Sequence, residues 1–460
     1  MAVFFITCMK NDLGKDKISK LVFAIAIPSM IAQIVNVLYS VIDRIYIGHL
    51  QDAGSLALAG VGVCGPILTM IAALGSLVGV GGGALCAIKL GEKKDDVARD
   101  IVSSSFILLL IISIIIPPII IYFQEPILLL FGASEATLPY AMSYFKVYLL
   151  GTPFALLTIG MNNFINCQGY SKLAMITTLI GTFINIILDP ILMFVFDMGV
   201  TGAALASIIG QFVSCVFVLY ILMSKKLEIS LRIKKLNLKL SSEILTIGFN
   251  QFIIVMFDNV MIIALNSLLK KYGAQEADTY IAINTIIQSF MLIVTMPLGG
   301  ISGGTQCILS YNFGAYNVDR VKEAFYYLMK VCACYCTIMF VAVYLFGNGF
   351  ITLFTKDLYL KEMTFKALKI YTLFIIPLGF QYEMVDGMTA LGQVKISLFL
   401  SFFRKSVYFI MLFILPLFFA PIYIFAAECI SDILAPIVSY LVVKHNFDKI
   451  MEWRLYCRTN

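Results

Sequence analysis

The chain has 460 residues, 60% hydrophobic and only 13% charged, with a net charge of +6 and a mean hydropathy of +0.94. Apolar runs of about 20 residues, each long enough to cross a bilayer, recur from end to end. This excludes a soluble domain and predicts an all-α polytopic protein with the lipid bilayer as its surroundings. Basic residues lie in loops between the apolar runs and form no single patch, so no nucleic-acid partner is expected.

The opening "MAVFFITCM" is followed by lysines and lacks a small-residue cleavage pattern, so no signal peptide is read there, and Met9 is a second candidate start. Twelve transmembrane helices are predicted, at 18–43, 56–88, 98–122, 139–164, 172–194, 201–223, 243–269, 279–306, 322–346, 363–388, 396–419 and 422–444. Lys10, Lys15 and Lys17 precede the first and Lys20 lies in its opening turn, Lys93, Lys94 and Arg99 follow the second, and Lys225, Lys226, Arg232, Lys234, Lys235 and Lys239 follow the sixth. The tail adds Lys444, Lys449, Arg454 and Arg458, while loops 123–138 and 195–200 hold no Lys or Arg. Positive charge stays on the cytoplasmic side, so both termini are expected in the cytoplasm of a multi-pass cell-membrane protein.

The chain also repeats itself. "KLGEKKDDVAR" from Lys89 aligns with "NFGAYNVDRVK" from Asn312, and "QGYSK" from Gln168 with "LGQVK" from Leu391. Gly91 falls on Gly314 and Gly169 on Gly392, both at an offset of 223. Two six-helix bundles related by internal repeat follow: an N-terminal lobe at 1–223, a basic cytoplasmic linker at 224–242, and a C-terminal lobe with its tail at 243–460. Such duplication suits a transporter, with its site near the interface between repeats.

Polar residues then single out one region. On the first helix Gln33, Asn36, Ser40 and Asp43 recur every three or four positions. Thr178, Thr182, Asn185 and Asp189 do so on the fifth, and Ser207, Gln211 and Ser214 on the sixth. Lipid satisfies none of these stripes, so they are expected to face one another or a water-filled cavity. A charge at bilayer depth costs roughly 2.5–3.5 kcal/mol, which makes Asp189 a functional candidate, the alternative being a carboxylate held by neighbouring donors for packing alone. Pro190 lacks an N–H and frees carbonyls of the preceding turn beside it.

Other motifs carry less. "GVGVCG" from Gly60 sits in an apolar span with no acid about 20 residues on, against dinucleotide binding. Gly75, Gly79 and Gly83, four apart, suit close helix packing. Eleven cysteines, among them Cys332, Cys334 and Cys336, read as small core residues, and with two histidines no metalloenzyme ligand set exists. No P-loop and no catalytic cluster is found, so neither an enzyme nor a cofactor is expected. Met256, Phe290, Met291 and Met296 are candidates either for ligand contact in the cavity or, preferentially, for core packing.

"IPSMIAQIVNVLYSVIDRIYIGHL" (27–50), "NIILDPILMF" (185–194), "GVTGAALAS" (199–207) and "YNFGAYNVDRVKEA" (311–324) resemble the multidrug and toxic compound extrusion (MATE) family, and are most similar to its MepA-like branch. The resemblance covers essentially the whole chain. It implies a Na⁺- or H⁺-coupled antiporter that exports amphipathic, mainly cationic drugs by alternating access; a monomer is expected. It also implies a cation site, for Na⁺ or H⁺, at Asp43, Asn185, Asp189 and Ser207, the last standing where some relatives have threonine. In the C-terminal lobe an acid of the seventh helix matches Asp258. A second, on the tenth, would fall near Phe380 or Gln381, where there is no carboxylate; Glu383 and Asp386 lie nearby. Arg404 is expected to pair with Asp432 or Asp258. A lipid-linked oligosaccharide or lipid flippase shares this architecture and is the alternative, although its cavity would need basic residues for a pyrophosphate.

Overall fold

The computed structural model describes residues 11–50, 54–224, 227–273 and 276–459, so the opening "MAVFFITCM", Lys10, Lys225 and Lys226 lie outside the described residues. The described elements are helical, with no strand among them. Many of these segments are rich in Ile, Val and Phe, mediocre helix formers in water. Within lipid the backbone has no other partner than itself, and the helix follows from that.

The N-terminal lobe holds α1 (Ile18–Gly48), α2 (Gly54–Gly91), α3 (Asp95–Tyr122), a short α4 (Gln124–Leu130), α5 (Leu138–Asn166), α6 (Ser171–Pro190) and α7 (Gly199–Met223). The C-terminal lobe holds α8 (Leu238–Gly273), α9 (Ala277–Gly314), α10 (Val318–Thr352), α11 (Leu358–Tyr371), α12 (Ile375–Ala390), α13 (Val394–Phe418) and α14 (Ala426–Thr459). Eleven of these are long and apolar enough to cross a membrane singly, and α11 with α12 forms a twelfth span bent by 48°. The sequence predicts a straight helix there. Pro377 in the first turn of α12 explains the break, since it can begin a helix but cannot continue one from α11.

The repeat is visible in the backbone. Lys93 and Tyr316, one offset apart, have φ of 58° and 59°, and Gly169 and Gly392 have 87° and 70°. Between lobes, α1 packs on α9 and α2 on α8, two contacts that the repeat interchanges.

At the end bearing the termini the lobes are tied together. Arg454 of α14 donates to Glu92 Oε1 (2.7 Å) after α2, and to the carbonyls of Phe313 (2.9 Å) and Gly314 (3.1 Å) at the end of α9. Its guanidinium lies 4.2 Å from the ring centroid of Tyr316. Asn166 donates to Gly304 O at 2.7 Å, and Arg320 reaches the carbonyls of Leu13 and Asp16 in the N-terminal segment.

The segment read as a linker is helical from Leu238, five residues earlier than expected. Before that it packs down: Leu227, Ile229 and Leu231 are buried, Gln168 bonds both backbone groups of Ile229, and Lys234 pairs with Asp100 at 2.6 Å. Eight of the ten described cysteines are buried and all are unpaired, but Cys334 and Cys457 are exposed.

Candidate functional site

Near the membrane end opposite the termini, α1, α6 and α7 converge. Asp43 lies in the last turns of α1, Asp189 next to the end of α6, and Ser207 two turns into α7. Pro190 closes α6, and a single π-type turn, Ile191–Val195, follows it. Asp189 is wholly buried, with Asp43, Asn185 and Ser207 nearly so. Asp43 and Asp189 lie within electrostatic reach of each other and of Tyr39.

The cluster holds oxygen without a donor, as does Glu383 of the C-terminal lobe, wholly buried with both carboxylate oxygens unpartnered. Both carboxylate oxygens of Asp189, Oδ1 of Asp43, Oδ1 of Asn185 and Oε1 of Gln211 are buried and unpartnered. The donors nearby are spent on one another: Asn185 Nδ2 donates to Ser207 Oγ (3.2 Å), which lies 2.9 Å from the Tyr39 hydroxyl, and Gln211 Nε2 donates to the Tyr148 hydroxyl (2.8 Å). Tyr144 stacks on Tyr148 at 5.7 Å. Buried unpaired carboxylate is costly, and a cation or a proton is the ligand that relieves it.

A cavity of about 690 Å³ lies between the lobes. Gln33, Asn36, Tyr39, Asn185, Ser207 and Gln211 line its N-terminal wall; Asp258, Met296, Tyr382, Asp386, Arg404 and Lys405 line the other. Asp43 and Asp189 do not line it, while Tyr39 and Asn185, each one helical turn before one of them, do.

Three expected lining residues are placed elsewhere. Ser40 is exposed, its hydroxyl turned back to Asn36 O at 3.0 Å; a helical serine can satisfy itself on the carbonyl one turn earlier, so the stripe did not constrain it. Met291 is packed in the C-terminal core with Phe290, and Met256 is half-buried away from the cavity wall. The sequence reading passed over Tyr39, Tyr144 and Tyr148, whose hydroxyls carry no periodic polar signal in an aromatic-rich helix.

The C-terminal wall is built differently. Arg404 pairs with Asp432 (3.0 Å) and with Glu428, and Lys405, also unremarked in the sequence, pairs with Asp258. Asp386 accepts from Ser302 at 2.5 Å. Further out, Asn266 stands one repeat from Asp43 and accepts from Asn284 at 2.8 Å, whose own Oδ1 accepts from Gln288 at 3.4 Å. At the position that repeats Asp43 the C-terminal lobe holds a satisfied amide, and its own unpartnered carboxylate is the wholly buried Glu383.

Two lobes of six spans related by a repeat, enclosing a polar cavity, define a secondary transporter rather than an enzyme. The MatE family model matches residues 28–191 and 247–415, and the chain belongs to that family. The multidrug export protein MepA of Staphylococcus aureus (strain N315) is 27% identical over 431 residues, 93% of this chain and 94% of that protein. MepA of Staphylococcus haemolyticus (strain JCSC1435) is 26% identical over 403 residues, 87% of this chain and 88% of that one. Among solved structures, the outward-facing conformation of a multidrug resistance MATE family transporter of the MOP superfamily superposes with a TM-score of 0.89 at 22% identity, covering 96% of this chain and 98% of its own.

Proposed function

We propose that this protein is a cation-coupled multidrug antiporter that exports amphipathic, mainly cationic compounds across the cell membrane as a monomer, with both termini cytoplasmic. Residues 1–223 and 243–460 would be its moving lobes and 224–242 their connection. The observation that carries the reading is the buried set of unpartnered oxygens on Asp43, Asn185 and Asp189 beside the cavity. The MepA relatives, named as multidrug export proteins, support the reading of drug export.

Na⁺ or H⁺ reaching Asp189 and Asp43 from outside repacks α1, α6 and α7 and expels drug. Release of the ion inward restores negative charge that favours the next cationic drug. Coupling is competition for one charge, because a ligand shifts a two-state equilibrium only through differential affinity. The nearly isosteric Asp189→Asn is expected to fold and to lose efflux of ethidium from vesicles under imposed Na⁺ and H⁺ gradients alike, with Asp43→Asn severely impaired. Full efflux by well-folded Asp189→Asn under both gradients would move the coupling site elsewhere, with Asp258 next.

A further inference from the structure

On the outer surface of the bundle, remote from the cavity, a second concavity of about 530 Å³ runs between α3, α8 and α13. Its walls are Leu108 of α3, Leu236 and Leu238 at the start of α8, Leu245 and Phe249 within it, and Leu398 of α13. From Leu238 to Phe249 the groove descends roughly 16 Å along a helix, into the depth of a single leaflet.

Its mouth is cationic. Arg232, Lys235 and Lys239 alternate with Leu236 and Leu238, and Lys395 stands one residue past Val394 on α13; all four are exposed, and none is ion-paired among the described residues. Lys234 is already neutralised by Asp100, and Glu243, one turn beyond Lys239 and next to the wall residue Ser242, offsets one of the four charges and leaves the mouth net positive. An apolar slot at leaflet depth, capped by four cations at the membrane surface, is complementary to one kind of molecule: a chain with an anionic head.

We propose that this groove is a binding site for one anionic phospholipid of the leaflet on the terminus-bearing side. An acyl chain lies along α8 between the lobes, and the phosphate rests among Arg232, Lys235, Lys239 and Lys395. Each basic residue near such a headgroup contributes on the order of 1 kcal/mol, so several together select charge over a neutral lipid with the same chains. Because α3 belongs to one lobe and α8 and α13 to the other, the occupant touches both.

The test is native mass spectrometry of the full chain released from vesicles of equal parts dioleoylphosphatidylglycerol and dioleoylphosphatidylcholine. One phosphatidylglycerol should be retained at least five-fold over phosphatidylcholine. Lys235→Gln with Lys239→Gln and Lys395→Gln should abolish that preference, and Leu398→Trp, which fills the slot without changing charge, should lower retention of both lipids. Excess glycerol phosphate should not displace the bound lipid; displacement would show that the cations bind phosphate alone. Equal retention of the two lipids by the wild-type chain, or unchanged preference in the triple variant eluting as a folded monodisperse species, would overturn the proposal.

Discussion

Gly91 and Gly314, one repeat apart, are packed reciprocally: a Cβ on Gly91 would lie 2.1 Å from Tyr311 O, and a Cβ on Gly314 2.0 Å from Ile88 O. Ile88 and Tyr311 are themselves one repeat apart, so the ends of α2 and α9 touch as mirror roles of one contact. No side chain fits, and this is where the lobes close toward the termini.

Gly314→Val should therefore prevent that closure while sparing each lobe. Ser29→Cys, on the cavity wall, placed in a chain lacking native cysteines, should become at least ten-fold more reactive to impermeant thiol reagent from the terminus side when Gly314→Val is added. Unchanged reactivity would mean that the closure accommodates the side chain.

The ligand set discriminates between coupling ions. A sodium ion needs several oxygens and a proton needs one, so Asn185→Ala and Ser207→Ala should impair Na⁺-driven efflux several-fold more than H⁺-driven efflux. Equal losses under the two gradients would count against direct ligation.

The clasp at the terminus end is legible in its titration. Burial works against the charge of Glu92, but hydrogen bonds from Arg454, Lys94 and Lys89 outweigh it and hold the carboxyl at about 2, below its ordinary 4.5. The folded form thus keeps the ionised acid, a contribution complete above pH 4.5 and lost as pH falls toward 2. Glu92→Gln should lower stability in detergent at pH 7 by about 1.5–3 kcal/mol, the range for hydrogen bonds to charged groups. The gap from wild type should narrow as the solution is acidified below pH 4.5, and a gap independent of pH would assign the loss to packing.

On the C-terminal wall the Asp258 side chain is 47% exposed while its partner Lys405 is only 14% exposed. On the proposed function the carboxylate is the group a cationic substrate would meet, already ion-paired with Lys405. Lys405→Gln should tighten binding of a monocationic dye about three- to ten-fold, as expected for unmasking a partly solvated charge, and Asp258→Asn should weaken it. Fluorescence polarisation reads both, and weaker dye binding by Lys405→Gln would show that the lysine serves the wall's structure.

Orientation is tested at the exposed Arg232. Arg232→Cys, the sole cysteine in the chain, should react with impermeant reagent only after cells are opened. Labelling of intact cells would invert the topology.

Most of the architecture was legible because lipid imposes simple rules: length gives spans, and a shared offset gives two lobes. The stripes of α6 and α7 were read correctly as inward-facing because Asn185, Asp189 and Gln211 have no local way to satisfy themselves. Ser40 does have one, and it misled. The bend between α11 and α12 was signalled by Pro377 but hidden inside an uninterrupted apolar run. Lys405 was invisible for another reason: beside Arg404, a second cation gives no hint of which helix supplies its partner. The glycines at 75, 79 and 83 were read rightly, since all three lie against Leu156–Asn163 of α5.

The amide pair Asn266 and Asn284 has an electrical consequence. There is no carboxylate at the position that repeats Asp43, so on the coupling proposed above the current of each cycle would depend on how many cations occupy Asp43 and Asp189. One cation exchanged for a monocationic drug moves no net charge. Two would move one charge inward, letting the membrane potential contribute about 2.3 kcal/mol per 100 mV to export. On that coupling, whether efflux of a monocation quickens when vesicles are polarised by a potassium diffusion potential would count the ions that those two aspartates take.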